Sequence, residues 1–186
     1  MTHSYYDMVN ESIRWHEQQI KDASDDIARV ANNTTKFVAP ASMEAELPQA
    51  ELVAPGDACE PLAGVRVEAV PAYNPHKKFH PKANGWVGYV VTTLNGIRVY
   101  IAGDTDDLPQ NRKIACDIAL VPAGGTYTMD AREAATFINA LKPAIAFPSI
   151  TARSPVPLMT GKCLQTSWIR VLRLSSSCRG KYLTLV

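Results

Sequence analysis

The feature that most constrains the fold is a pair of β-rich runs joined by an Asn-Gly dipeptide. Residues 87–93 and 97–102 consist largely of branched and aromatic side chains, and Asn95 and Gly96 stand between them. This pattern predicts a β-hairpin with a type I′ turn, because both turn residues tolerate positive φ. The second run leads directly into the Gly-Asp-Thr-Asp stretch at 103–106, so the hairpin is expected to present carboxylates at a strand end.

Further strands and helices are predicted on both sides of this hairpin. Apolar residues recur at helical spacing in two segments, and short apolar or alternating runs indicate additional strands. The helices are predicted at 9–32 and at 130–141, the second capped by Asp130, and the strands at 36–39, 65–70, 117–122 and 144–148, the last two of the buried type. Such alternation of strand and helix indicates a mixed α/β domain built in layers.

Composition argues against several classes of protein. Nineteen basic and 18 acidic residues give a formal net charge of +1 without a basic cluster, which is unlike a nucleic-acid-binding surface. No apolar run approaches the ~20 residues of a membrane span, and the N-terminus lacks the regions of a secretory signal. The four cysteines form no C-x-x-C pair. Free thiols in a cytoplasmic protein are therefore expected, with neither nucleic acid nor membrane as a partner.

Three places in the sequence offer side chains that suit metal ligation. His3 and Asp7 lie just before the first predicted helix, His76 and His80 lie in a long polar loop with three prolines, and Asp104 follows the hairpin. Imidazole nitrogen and carboxylate oxygen are suitable ligands for zinc, iron or manganese. Each place also has a simpler interpretation, as a solvated terminus, a loop-packing histidine or a turn aspartate. Local chemistry alone leaves both interpretations open.

Five short stretches between Val67 and Pro148 carry a family resemblance. They are Val-Pro-Ala-Tyr-Asn with Phe-His-Pro (70–81), Gly-Trp-Val-Gly-Tyr-Val (85–90), Val-Tyr-Ile-Ala-Gly-Asp-Thr-Asp (99–106), Asp-Ile-Ala-Leu-Val-Pro (117–122) and Gly-Gly-Thr-Tyr-Thr-Met (124–129). In these stretches the chain resembles the metallo-β-lactamase superfamily. It is most similar to the branch of metal-dependent hydrolases that includes L-ascorbate-6-phosphate lactonase-like proteins. Thr-His-x-x-Tyr-Asp at 2–7 matches more weakly.

The resemblance implies a fold, a site and an activity. The fold is an αββα sandwich with up to two metal ions (zinc, or manganese or iron), held by an H-x-H-x-D-H motif, a loop histidine, a bridging aspartate and a last histidine. By position, His3 and Asp7 fall on the first motif, His80 on the loop histidine and Asp104 on the bridging aspartate. The implied activity is attack of metal-bound hydroxide on a small-molecule ester, lactone or phosphoester, with Asp7 and Asp104 as the catalytic carboxylates.

Three ligand positions depart from the family pattern. Tyr5 and Met8 stand where the first motif has histidines, and Ser-Ile-Thr-Ala at 149–152 stands where family members commonly have His-Tyr-Gly. Neutral phenol and thioether are poor ligands for hard divalent metals. The alternative to a working hydrolase is therefore a catalytically inactive relic or binding module that keeps the fold with a degraded metal site.

The resemblance also divides the chain. Residues 1–148 are expected to form a metallo-β-lactamase-like domain without the family's usual first strands, so that the sandwich is incomplete. A fragment, an internal start and a half-domain completed by a second copy in a homo-oligomer are the alternatives left open. Residues 149–186 are expected to form an atypical tail with no clear helix or strand rhythm. That tail is either divergent or encoded out of frame, because codons compatible with Ser149 to Ala152 can read His-Tyr-Gly in another frame.

Overall fold

The structure, a computed structural model, describes residues 27, 29, 31–77 and 80–149, together with the backbone of 170–173 and 182–185. Within these ranges the chain forms two β-sheets and an α-helix, α1 (Ala131–Leu141). The strands are β1 (Lys36–Pro40), β2 (Glu51–Val53), β3 (Ala58–Leu62), β4 (Val65–Pro71), β5 (Val87–Thr92), β6 (Arg98–Ile101), β7 (Ile118–Pro122), β8 (Ile145–Ser149), β9 (Arg170–Arg173) and β10 (Tyr182–Leu185). The predicted helix at 9–32 is helical at residues 27 and 29, is no longer helical at residues 31 and 32, and otherwise lies outside the described residues.

The larger sheet has six strands in the order β3-β4-β5-β6-β7-β8. Strand β5 is antiparallel to both of its neighbours, β4 and β6, whereas β6, β7 and β8 are parallel to one another. The strands β4, β6, β7 and β8 therefore all end at the same side of the sheet, which we call the carboxyl edge. Loops that follow parallel strands meet at such an edge, so this topology gathers residues from distant parts of the sequence.

Apolar side chains fill both faces of this sheet. Towards the smaller sheet, Val67 and Val91 belong to one buried cluster with Val38 of β1. On the opposite face, Val90 and Tyr100 pack with Phe137 of α1. Full burial of an aliphatic or aromatic side chain of this size contributes about 1.5–3 kcal/mol, so these clusters hold the layers together.

A third cluster completes the layered architecture. In β1, Phe37 and Ala39 pack with Leu47 on the side of the smaller sheet that faces away from Val38, and helical residue Ile27 contacts this cluster. The described layers are thus helix, sheet, sheet and helix. The predicted αββα arrangement is confirmed.

The hairpin of β5 and β6 forms as predicted, but its turn is of a different type. Gly96 is left-handed with φ of 77°, whereas among the described non-glycine residues only Lys142 has a positive φ. The Gly96 N–H donates to the Thr93 carbonyl at 2.8 Å, and the Thr93 N–H donates to the Ile97 carbonyl at 2.9 Å. The prediction of a type I′ turn was wrong, because Asn95 keeps a negative φ and Gly96 alone occupies the bulge position of a longer turn.

Helix α1 begins as its sequence predicts. The Asp130 carboxylate accepts from the N–H groups of Arg132 and Glu133, and the Glu133 side chain accepts from the Asp130 N–H, which closes a capping box. Strand β8 differs from its prediction as a buried strand. Ile145 and Phe147 are 49% and 54% exposed, because β8 is the edge strand of the sheet as formed by the described residues.

The smaller sheet has the order β2-β1-β10-β9. Strand β10 runs parallel to β1, with Phe37 opposite Thr184, and antiparallel to β9. The sequence showed no clear helix or strand rhythm at 149–186, yet β9 and β10 both fall in that segment. Their pairing with β1 is long-range, and local sequence patterns carry no information about such a partner. The division into 1–148 and an atypical tail stays a prediction.

Candidate metal centre

The loops that follow β4, β6 and β7 meet at the carboxyl edge. The first carries His80, the second carries Asp104 and the third carries Thr128. The end of β4 is fixed from inside the protein, since the Asn111 side chain donates to the Pro71 carbonyl at 2.8 Å and to the Tyr100 hydroxyl at 3.2 Å. The candidate site is thus built on strand ends whose positions are set by the core.

Asp104 is positioned by the contacts that the end of β6 makes with β7 on one side and with β5 on the other. Strand β6 is followed by Ala102, whose N–H donates to the Leu120 carbonyl at 3.0 Å. Gly103 then turns the chain with φ of 67°, a conformation that L side chains rarely adopt. A Cβ atom on Gly103 would also lie 3.3 Å from the Val87 carbonyl oxygen. The following Asp104 is buried, so its carboxylate is held at a defined place.

The structure brings His80 and Asp104 together. Nε2 of His80 lies 3.7 Å from Oδ2 of Asp104, and the two side chains are 17% and 5% exposed. Contacts with other described residues fix the histidine. Its carbonyl accepts from the Asn74 N–H at 2.8 Å, and its ring meets the Trp86 ring edge-on with centroids 4.7 Å apart. A proline-bracketed loop and a strand end thus converge on one buried place, as the sequence predicted.

The distance between the two side chains is longer than a hydrogen bond and is close to the spacing of two ligands of one cation. A hydrogen bond requires about 2.7–3.2 Å, which is shorter than the observed 3.7 Å. Two ligands of a tetrahedral zinc ion, with bonds of about 2.0–2.1 Å, lie about 3.3–3.4 Å apart. Burial lowers the pKa of His80, and the negative charge of Asp106 partly opposes that effect. The neutral imidazole is the form that ligates metals.

Hydrogen bonds from both backbone and side chains tie the loops to each other next to this pair. The Thr105 hydroxyl lies 3.3 Å from both the N–H and the carbonyl of Tyr73, and the Asp106 N–H donates to the same carbonyl at 3.1 Å. The Lys77 ammonium donates to Asp106 Oδ1 at 2.7 Å and to the Thr128 carbonyl at 2.6 Å. Sequence reasoning missed Lys77 and Asp106. In the sequence Lys77 stands beside Lys78 in the long polar loop, and no local pattern pointed to its partners.

The remaining predicted site residues are not brought to this pair by the described structure. His3 and Asp7 lie outside the described residues, and His76 is exposed. Within the described part of the chain, no group of three or more His, Cys, Asp or Glu side chains is placed to hold a metal ion. His80 and Asp104 are thus two donors of the right chemistry. The role of all four residues as metal ligands stays a prediction.

The fold and the paired donors place the chain in a class of αββα proteins with a site at the ends of the sheet strands. The family model described as "Beta-lactamase superfamily domain" matches residues 6–149. The chain therefore belongs to the metallo-β-lactamase superfamily, and the sequence resemblance is confirmed at that level. The lactonase-like branch stays a prediction.

Individual relatives agree with this membership. The chain is 37% identical over 103 residues to a metal-dependent hydrolase of Nitratidesulfovibrio vulgaris and 33% identical over 136 residues to one of Thermoplasma acidophilum. These matches cover 53% and 68% of this chain, and 37% and 59% of the respective relatives. The chain therefore spans between about two fifths and three fifths of the length of these two relatives.

Two solved structures share the fold. One, from Parabacteroides distasonis and assigned to the metal-dependent hydrolases, has a TM-score of 0.63 at 32% identity, covering 69% of this chain and 60% of its own. The other, a metallo hydrolase from Ignicoccus hospitalis, has a TM-score of 0.54 at 25% identity, covering 68% of this chain and 56% of its own. Among the described residues, no helix has the length and apolar character needed to cross a membrane.

Proposed function

We propose that this chain provides the metal site of a metal-dependent hydrolase, with His80 and Asp104 as ligands of one divalent cation. The observation that carries the proposal is the 3.7 Å separation between His80 Nε2 and Asp104 Oδ2 in a buried setting. By the sequence resemblance, His3 and Asp7 are proposed as further ligands. The substrate is proposed to be a small-molecule ester, lactone or phosphoester. The lactonase-like branch, zinc as the metal and a cytoplasmic location are parts of the same proposal.

The side chains of the pair suit this role. The neutral imidazole of His80 offers a nitrogen lone pair, and the Asp104 carboxylate offers an anionic oxygen. The Trp86 ring packs against the imidazole and limits its rotation. A divalent cation held by these groups would polarise the reacting oxygen and acidify a water molecule for nucleophilic attack.

A specific observation favours the alternative, a binding module without hydrolase activity. Tyr5 and Met8 occupy positions where the family motif has histidines, and the described residues bring together only two donor side chains. Two ligands hold a cation weakly, because most zinc sites use three or four protein side chains. The alternative predicts the fold without bound metal.

Metal titration separates the two functions. The full chain is stripped with a chelator and titrated with Zn²⁺ and Mn²⁺ by calorimetry, alongside His80→Ala, Asp104→Ala and the control His76→Ala. We expect binding in the wild type and in the control, since His76 is exposed, and loss of binding in the other two variants. Metal content unchanged in both His80→Ala and Asp104→Ala would show that the site assignment is wrong. A wild-type chain that binds no metal would support the binding module.

A further inference from the structure

Lys77 joins three loops of the carboxyl edge through one ammonium group. Its Nζ atom lies 2.7 Å from Asp106 Oδ1 and 2.6 Å from the Thr128 carbonyl oxygen. The side chains of Lys77 and Asp106 are 25% and 15% exposed, so both contacts are largely shielded from water. Lys77 follows β4, Asp106 follows β6 and Thr128 follows β7. We call this arrangement the lysine clamp.

The lysine clamp is attached close to both members of the candidate metal pair. Lys77 lies in the loop that carries His80, and the Asn74 N–H bonded to the His80 carbonyl closes that loop. Asp106 lies in the same loop as Asp104, the loop that follows β6. A shift of one loop against the other would change the separation of His80 and Asp104 directly, and the clamp opposes such a shift.

We propose that Lys77 is a positioning residue that holds the His80 loop against the Asp104 loop, so that the two side chains bind one divalent cation together. This inference rests on the function proposed above. Groups that orient metal ligands without touching the metal commonly change its affinity by 10–100-fold. Lys77 belongs to this kind of group, because its bonds to Asp106 and Thr128 hold the loops that carry the ligands.

The sign of the effect distinguishes positioning from simple electrostatics. Removal of a positive charge near a cation site strengthens cation binding by Coulomb's law. Removal of the clamp weakens binding, because the two ligands lose their fixed separation. Lys77→Met is therefore expected to raise the dissociation constant for Co²⁺ by about 10–100-fold, whereas electrostatics alone would lower it.

A matched control lies in the same loop. Lys82 is exposed, and its ammonium lies 5.8 Å from the centre of the Tyr73 ring. Lys82→Met removes the same charge from the same loop, and we expect Co²⁺ affinity unchanged or slightly stronger. Lys77→Arg keeps a cation that can donate to the Asp106 carboxylate, and we expect it to recover part of the affinity lost in Lys77→Met.

The experiment measures Co²⁺ binding to the full chain by calorimetry and by the visible absorption of the bound ion. Asp106→Asn and the double variant Lys77→Met with Asp106→Asn complete a mutant cycle. We expect the double variant to bind no more weakly than the weaker single variant, because both changes open the same clamp. Circular dichroism of each variant verifies the fold.

Each result decides a different part of the proposal. Wild-type affinity or tighter binding in Lys77→Met, with binding intact in the wild type, would overturn the lysine clamp and leave the metal site standing. Additive losses in the cycle, or no recovery in a folded Lys77→Arg, would also overturn it. Absence of Co²⁺ binding in the wild type would overturn the metal site and the clamp together.

Discussion

The His80 imidazole meets the Trp86 indole edge-on, with ring centroids 4.7 Å apart and ring planes at 65°. Trp86 stands directly before β5, and its carbonyl accepts from the Ala72 N–H at 3.0 Å just after β4. The backbone of Trp86 is thus fixed at the sheet, and its indole in turn limits the orientations of the imidazole. A ring held in this way presents its nitrogen atoms in constant directions.

The proximity of these rings predicts an optical signal of metal binding. A paramagnetic Co²⁺ ion bound by His80 would lie close to Trp86 and quench its fluorescence. Trp86→Phe should remove most of that quenching and keep Co²⁺ affinity within a few-fold, because phenylalanine retains an aromatic face. Emission during Co²⁺ titration measures this, with Trp15 and Trp168 as the remaining fluorophores. Quenching that persists unchanged in Trp86→Phe would place the ion elsewhere.

The burial of His80 predicts a pH dependence of stability in the metal-free chain. Burial lowers the pKa of His80 below its usual 6.5, so the unfolded chain binds a proton more readily than the folded chain. The free energy of unfolding is therefore highest above pH 6.5, and it decreases as the pH falls through and below that value.

Urea denaturation in the presence of a chelator, at about pH 7.5 and about pH 5.5, tests this dependence on either side of the histidine pKa. We expect the free energy of unfolding to decrease at the lower pH, and His80→Gln to decrease less over the same interval than the wild type does. His76→Gln serves as the control and should follow the wild type, since His76 is exposed. Parallel pH profiles for wild type and His80→Gln would contradict the prediction.

Close contact between β5 and the end of β6 predicts intolerance to a side chain at Gly88. A Cβ atom there would lie 2.6 Å from the Ala102 carbonyl oxygen and 2.7 Å from that of Ile101. Both contacts are to backbone, so the strands must separate. We expect Gly88→Ala to lower the free energy of unfolding by about 2–3 kcal/mol, at the upper end of ordinary overpacking.

Gly96→Ala is the comparison variant for Gly88→Ala. A Cβ atom at Gly96 meets nothing within 4 Å, so only its positive φ opposes the change. That strain is expected to lower the free energy of unfolding by about 1–2 kcal/mol. Urea denaturation should therefore show a larger loss of stability for Gly88→Ala than for Gly96→Ala. The reverse order would show that β5 and β6 tolerate separation.

Local sequence patterns were sufficient where neighbouring residues decide the outcome. The alternation in β4, the β-rich runs of β5 and β6, and the capping residues of α1 act over a few positions, so the sequence predicted these elements correctly. The resemblance of the 70–106 region to a metal-dependent hydrolase family likewise directed attention to His80 and Asp104. Local rules failed at Asn95, where the hairpin used a longer turn, and in the segment that holds β9 and β10.

By itself, the sequence determined local elements such as β4, β5, β6 and the capped start of α1, and it offered His80 and Asp104 among several side chains with metal-ligating chemistry. Tertiary structure alone decided that β4, β6 and β7 end side by side. It also decided that Trp86 packs on His80, and that Lys77 reaches Asp106 and Thr128. The physical reason is range: propensity and capping depend on adjacent residues, whereas these contacts arise only when sheet pairing brings distant loops to one edge.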